Sequence, residues 1–194
     1  MSSLSRLRLD LLSLGLLGAS AFMALALYSH HPADPPSSVV YPTNSEPLNT
    51  CGRIGAVVAA TLYDGFGVAA WGVLGVFSLG ALRLFLRAWP DDLPHRVLGW
   101  SLLITVTCVG LHDVLPAAAG TNLVGAGGLI GAYGHFLLDQ ELSRGGATVV
   151  LLSVGGAGLL LAADEWTLRV LSVLLLGPFR LIRRLCVGRT IPVA

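Results

Sequence analysis

Four apolar stretches organise this chain: Leu11 to Tyr28, Gly65 to Leu82, Val97 to Leu115 and Ala147 to Ala163. At about 1.5 Å per helical residue, each stretch with its flanks covers a hydrocarbon layer of roughly 30 Å. The pattern predicts four transmembrane helices. The breaks between them differ in kind. Residues 29 to 50 carry Pro32, Pro35, Pro36, Pro42 and Pro47 with Ser37, Ser38, Asn44 and Asn49, which cannot sustain a helix and read as an exposed loop. Arg83, Arg87, Trp89 and Pro90 end the second span, with Trp89 suited to the headgroup level. Pro94-His95-Arg96 precedes the third span and Pro116 ends it.

Two pieces are left over. Arg53 to Asp64 is rich in small residues and should form a short helix hinged to the second span at Gly65 and Gly67. Gly120 to Ser143, glycine-rich with Asp139 and Glu141 near its end, reads as a second short helix rather than a span. The expected fold class is therefore an all-α integral membrane domain: four transmembrane helices with two short extracytoplasmic-side helices. Residues 1–10 would be a cytoplasmic N-terminus, 11–166 the membrane domain and 167–194 a basic juxtamembrane tail. Trp166 to Leu185 is expected to lie at the interface, each near-surface Arg adding roughly 1 kcal/mol of attraction to anionic lipid. Two alternatives exist. Arg6, Arg8 and Ala24-Leu25-Ala26 mimic a cleaved signal peptide around the first span. A fifth span from Leu168 to Phe179 would be too short and would export the basic tail.

Charge gives the expected orientation. All twelve basic residues are arginine, and there is no lysine. Arg6, Arg8, Arg83, Arg87, Arg96, Arg169, Arg180, Arg183, Arg184 and Arg189 fall on one side of the predicted layer; Arg53 and Arg144 fall on the other. Arg in short flanking loops stays cytoplasmic during insertion, so both termini should be cytoplasmic. The chain is 54% hydrophobic and 12% charged, about half the charge of a soluble domain, so lipid must contact most of its surface. Arginines spread along one membrane face make no nucleic-acid surface. Cys51, Cys108 and Cys186 lie too far apart for a metal-ligand motif, and no intrachain disulfide is expected.

Gly52-Arg53-Ile54-Gly55-Ala56 recurs 76 positions later as Gly128-Leu129-Ile130-Gly131-Ala132. Each copy follows an outward span and precedes an inward one, which reads as a duplicated hairpin unit. Both copies keep one orientation, so any pseudo-symmetry axis would run along the membrane normal. In lipid, helices associate through close backbone approach, and small residues permit it. Gly52, Gly55, Gly127, Gly128 and Gly131 are the expected helix-packing residues, with Gly128, Gly131 and Gly134 forming one flat strip. Arg180, Arg183 and Arg184 are the expected cytoplasmic anchors.

Candidate chemistry is sparse. His30-His31 with Asp34 lacks a third placed ligand, so an ordinary solvated loop is expected there. His112-Asp113 sits where a span meets water, and Asp64, His135 and Asp139 fall on the short helices. No charged residue lies at a span centre, which removes the usual sign of an ion path. A phosphate-cradling loop needs a lysine after G-x-x-x-x-G, and this chain has none. Neither a G-x-S-x-G elbow nor H-E-x-x-H is present, and no cofactor is expected.

Four local patterns, in order, resemble a known family. Tyr28-Ser29-His30-His31-Pro32-Ala33-Asp34-Pro35 follows the first span, and Asn49-Thr50-Cys51-Gly52-Arg53-Ile54-Gly55-Ala56 leads to the second. Gly127-Gly128-Leu129-Ile130-Gly131 precedes the last span, and Gly145-Gly146-Ala147 to Trp166 covers that span and its exit. Together they resemble the N-terminal four-span membrane domain of the FtsK/SpoIIIE family of bacterial DNA translocases. The resemblance implies anchorage of a hexameric cytoplasmic ATPase at the division septum, homo-oligomerisation and contact with other division proteins. The linker, motor and DNA-reading tail of that family are not in this sequence, so motor activity is not implied. Two rival readings remain: a small multi-pass transporter or channel subunit, and an integral-membrane enzyme using His112, Asp113 and His135. The second requires those three side chains to converge within hydrogen-bond reach.

Overall fold

The computed structural model describes residues 3–37, 40–86, 92–115 and 124–162. The expected interfacial helix and the alternative fifth span, with Arg169, Arg180, Arg183, Arg184 and Arg189, lie outside the described residues. Among the described residues six α-helices occur in order: α1 (Ser3–Tyr28), α2 (Gly52–Phe66), α3 (Ala70–Phe85), α4 (Leu93–Val114), α5 (Gly128–Glu141) and α6 (Arg144–Ala162). Four of the described segments are long and apolar enough to cross a membrane: Arg8–Tyr28, Gly52–Phe85, Leu93–Val114 and Arg144–Ala162. No strand occurs among the described residues.

Local sequence accounts for the helix ends. Pro94 stands in the first turn of α4, where its missing N–H costs nothing. Between α2 and α3 the chain makes one 3₁₀ turn, Gly67–Ala69, close to the glycines expected to act as a hinge. Hydroxyls within the helices satisfy themselves: Ser13, Ser20, Thr105, Thr107 and Ser153 donate to carbonyls three or four residues back, at 2.7–2.9 Å. That is what a lipid-embedded helix requires, since no solvent is available to take up the hydroxyl.

The crossing helices stand in a row. α1 packs on α3, α3 meets α4, and α4 packs on α6; no packing of comparable extent joins α1 to α4 or α6 among the described residues. The row falls into two halves, α1–α3 and α4–α6, bridged by α2 against α5 and by the 3₁₀ turn against α4. A core of Ala26, Leu27, Ala59, Tyr63, Ala70 and Leu74 holds the first half. The second half closes on glycine: a Cβ on Gly99 would lie 2.4 Å from Ala162 N and 2.8 Å from Gly158 O. Sequence reasoning did not single out this α4–α6 crossing.

The duplication is visible in the backbone. Gly52 N–H donates to Asn49 O at 2.8 Å and Gly128 N–H to Gly125 O at 3.1 Å. Likewise Gly55 N–H reaches Cys51 O at 3.3 Å and Gly131 N–H reaches Gly127 O at 3.0 Å. Each pair is separated by the 76-residue shift. Gly52 and Gly128 both adopt the left-handed region, at φ +66° and +62°. In each half the short helix starts beside the carbonyl of a residue six positions before the span ends. Cys51 Sγ lies 3.7 Å from Phe22 O, and a Cβ on Gly127 would lie 2.1 Å from Cys108 O. Six helical residues rise about 9 Å, so each short helix begins alongside the last turns of the neighbouring span. Gly52–Phe85 taken together has the length to cross a membrane, whereas α3 alone, with 16 residues, is only about 24 Å long.

Candidate functional site

The distal end of the row, where α1 and α4 finish, gathers the polar side chains and both short helices. The loop after α1 is the first element there; much of it is exposed, as its prolines suggested, but two buried polar residues fix its path. Asp34 and Asn49 are each only 4% exposed. Asp34 Oδ1 accepts from Asn44 Nδ2 at 2.8 Å and Leu48 N at 2.9 Å, while Oδ2 accepts from Asn49 N at 2.9 Å. Asn49 in turn donates through Nδ2 to Ala26 O at 2.8 Å and accepts Cys51 N–H at 2.9 Å. The loop is thereby tied to α1 at one end and to α2 at the other. Burial works against the Asp34 charge, but the hydrogen bonds from Leu48, Asn44 and Asn49, with nearby His31, outweigh it and hold the carboxyl below its ordinary value. His30 stacks on Tyr63 at 4.7 Å, and Tyr63 Oη accepts from Trp71 Nε1 at 3.0 Å. Burial lowers the His30 pKa, against the opposing pull of Asp64 and Asp34.

The second element is the joint between the halves. A Cβ on Gly67 would lie 2.0 Å from Ala126 O, and one on Gly128 would lie 2.5 Å from Gly67 N. Val68 N–H donates to Ala126 O at 2.9 Å, so main chain meets main chain with no side chain between. Cys108 Sγ lies 3.6 Å from Phe66 O at the same place.

The expected packing glycines separate into distinct roles. Cβ positions on Gly127 and Gly131 would lie 2.1 and 2.4 Å from Cys108 O, and one on Gly134 would lie 2.4 Å from Val109 Cγ2, so these three face α4. Gly128 faces Gly65 and Gly67 instead, which divides the strip expected to run through Gly128, Gly131 and Gly134. A Cβ on Gly55 would strike Cys51 and Asn49 within its own turn. Within one copy nothing lies within 4 Å of the Gly52 Cβ position, and what calls for glycine there is the left-handed turn. The turn also explains why a glycine recurs there at the repeat spacing.

The third element is a His/Asp cluster on α4 and α5. His135 Nε2 lies 3.3 Å from Asp113 Oδ1, and its Nδ1 lies 3.5 Å from Asp139 Oδ2. The His112 ring meets His135 edge-on at 5.3 Å. His135 and Asp113 come within hydrogen-bond reach, which periodicity alone did not reveal, whereas His112 meets His135 only through its ring, so the three do not all converge at that reach. With both ring nitrogens facing carboxylates, a protonated His135 can donate to α4 and to its own helix together. A cavity of about 40 Å³ beside it, lined in part by Asp113, His135, Asp139 and Arg144, has room for water. Among the described residues, no group of three His, Cys, Asp or Glu side chains is arranged to hold a metal ion. The cluster can link helices; nothing in it supplies an activated nucleophile.

These features define a multi-pass, all-α membrane domain with one short helix in each half. A family model described as the 4TM region of DNA translocase FtsK/SpoIIIE matches residues 5–174, and the chain belongs to that family. Compared with curated proteins and with solved structures, the chain gives no match. The matched region is the membrane region of those translocases and not their motor.

Proposed function

We propose that this chain is the membrane-anchoring and oligomerisation domain of an FtsK-like protein of cell division and chromosome segregation. The observation that carries the reading is the family match across residues 5–174, nearly the whole length. The arginine bias supports cytoplasmic termini in a bacterial inner membrane, which makes the distal end extracytoplasmic. The partners on this reading are the lipid bilayer, further copies of the chain and other division proteins, with no direct contact to nucleic acid. Arg180, Arg183 and Arg184 would hold the emerging chain against anionic headgroups. A motor, attached or separate, would receive its position from this anchor.

Two measurements test it. A fluorescent fusion at the C-terminus should gather at midcell; uniform envelope fluorescence would overturn septal placement. Single cysteines after Gly188 and in the loop after Tyr28 should label from the inside and the outside respectively, and the reverse pattern would overturn the topology.

A further inference from the structure

The joint between the two halves is made once but has the geometry to be made again. In a two-fold pairing of duplicated units, each contact has a mirror contact. Here Gly65 and Gly67 of the first half abut Gly128 of the second, so the mirror would place Glu141 and Ser143 against Gly52. That contact does not exist, for nothing lies within 4 Å of the Gly52 Cβ position. The span contacts agree: α3 meets α4, while α6 has no comparable contact with α1 among the described residues. The halves are therefore joined head to tail. A head-to-tail joint leaves one used and one unused surface at each end, and its repetition between copies builds a ring or an array.

The burial pattern marks the two unused surfaces. Gly67 and Ala69 are buried at the joint, whereas Ser143 and Gly145, their counterparts at the 76-residue shift, are exposed. Gly128 and Ala126 are buried, whereas Gly52 is half-exposed and Thr50 exposed. The unused surfaces also differ from the internal ones in a complementary way. Leu129 follows Gly128 at the internal joint, but Arg53 follows Gly52 at the free start of α2. Where Gly65 meets Gly128 internally, the free end of α5 carries Glu141. Arg53 and Glu141 are both exposed, and neither is paired among the described residues.

We infer that copies of this chain assemble head to tail, the end of α5 and start of α6 of one copy seating on α1 and the start of α2 of the next, with Glu141 opposite Arg53. The inference rests on the assembly role proposed above and names the surface that serves it. Ser143 has a Cβ where Gly67 has none, so the contact between copies is looser than the one within a copy. The ion pair supplies orientation there, since like charges in the reverse arrangement would repel.

The test uses the full chain in native membranes and in detergent. Two differently tagged copies are co-expressed, one with Arg53→Cys and one with Glu141→Cys, both carrying Cys51→Ser, Cys108→Ala and Cys186→Ser. A short thiol-reactive cross-linker should join the two tags, while either variant expressed alone should give no cross-linked pair. In the otherwise native chain, R53E and E141R should each weaken self-association about tenfold, and the double variant R53E/E141R should restore it. Oligomers that persist unchanged in both single reversals would overturn this surface and leave the assembly role standing. A chain that is monomeric in every variant, the native one included, would overturn both. If the cysteine background does not fold, the charge-reversal series decides alone.

Discussion

The two halves of the duplication make the same turn by different physics. In the first half, the start of α2 is held by side chains: Asn49 spans from Ala26 O to Cys51 N–H, and Asp34 fixes Asn49 and Leu48 behind it. In the second half, the residue equivalent to Asn49 is Gly125, and α5 is held by the approach of Gly127 and Gly131 to Cys108 O. The first solution depends on a charge and its donors; the second depends on the absence of side chains. A buried polar network fails when one partner is lost, because the others are left unsatisfied. A glycine contact fails only when something is added. Each half should therefore break under a kind of change that the other tolerates.

The joint shared by both halves should show the largest effect. Gly67→Leu adds a side chain 2.0 Å from Ala126 O at a backbone φ of +60°, and should cost about 4 kcal/mol or prevent folding. Thermal unfolding in detergent measures it, and an unchanged midpoint would show that the joint is not formed. Asp34→Ala comes next. It leaves three donors without an acceptor and should cost about 3 kcal/mol, with the loop after Tyr28 opened to protease. Cys108, on the other half and fully buried, should stay as resistant to thiol labelling as before. Gly131→Leu should reverse that pattern, exposing Cys108 while the loop stays protected.

Acid should act on the first half through the same carboxylate. The Asp34 pKa is depressed from 3.8 in the folded chain, so its contribution is complete above that value and is lost as pH falls through the lower, folded one. His30 also has a lowered folded pKa. Its stacking on Tyr63 is therefore fully supported above 6.5 and declines as pH falls below that, and Trp71 fluorescence can report the change. Smaller still, Gly52→Ala should cost about 1 kcal/mol from its left-handed backbone alone, because the space around it is open. His135→Gln should cost the least, about 0.5 kcal/mol, since Asp113 and Asp139 are more than half exposed.

Much of this fold was legible along the chain. Apolar length gave the crossing helices, proline and glycine gave their ends, and the recurrence of Gly52-x-x-Gly55 as Gly128-x-x-Gly131 marked a turn the backbone makes twice. What periodicity could not give was direction around a helix axis. Gly128 and Gly131 stand three residues apart, yet one faces the 3₁₀ turn and the other α4. The convergence of His135 on Asp113 depends on how steeply α5 crosses α4. Asp34 was hidden for another reason: its donors are backbone N–H groups and an asparagine 10 to 15 residues away, so no local spacing announces them. The crossing of Gly99 with Gly158 links segments whose pairing no sequence period encodes.

At Gly67 and Gly128 the two halves touch through bare peptide groups. A weld of that kind has no dial. Swapping one aliphatic residue for another nearby cannot tighten or loosen it by degrees; it is either made or broken. The angle between the halves should then stay constant while the lipid-facing residues around it vary freely, and any adjustment of shape must come from the outer edges of the row.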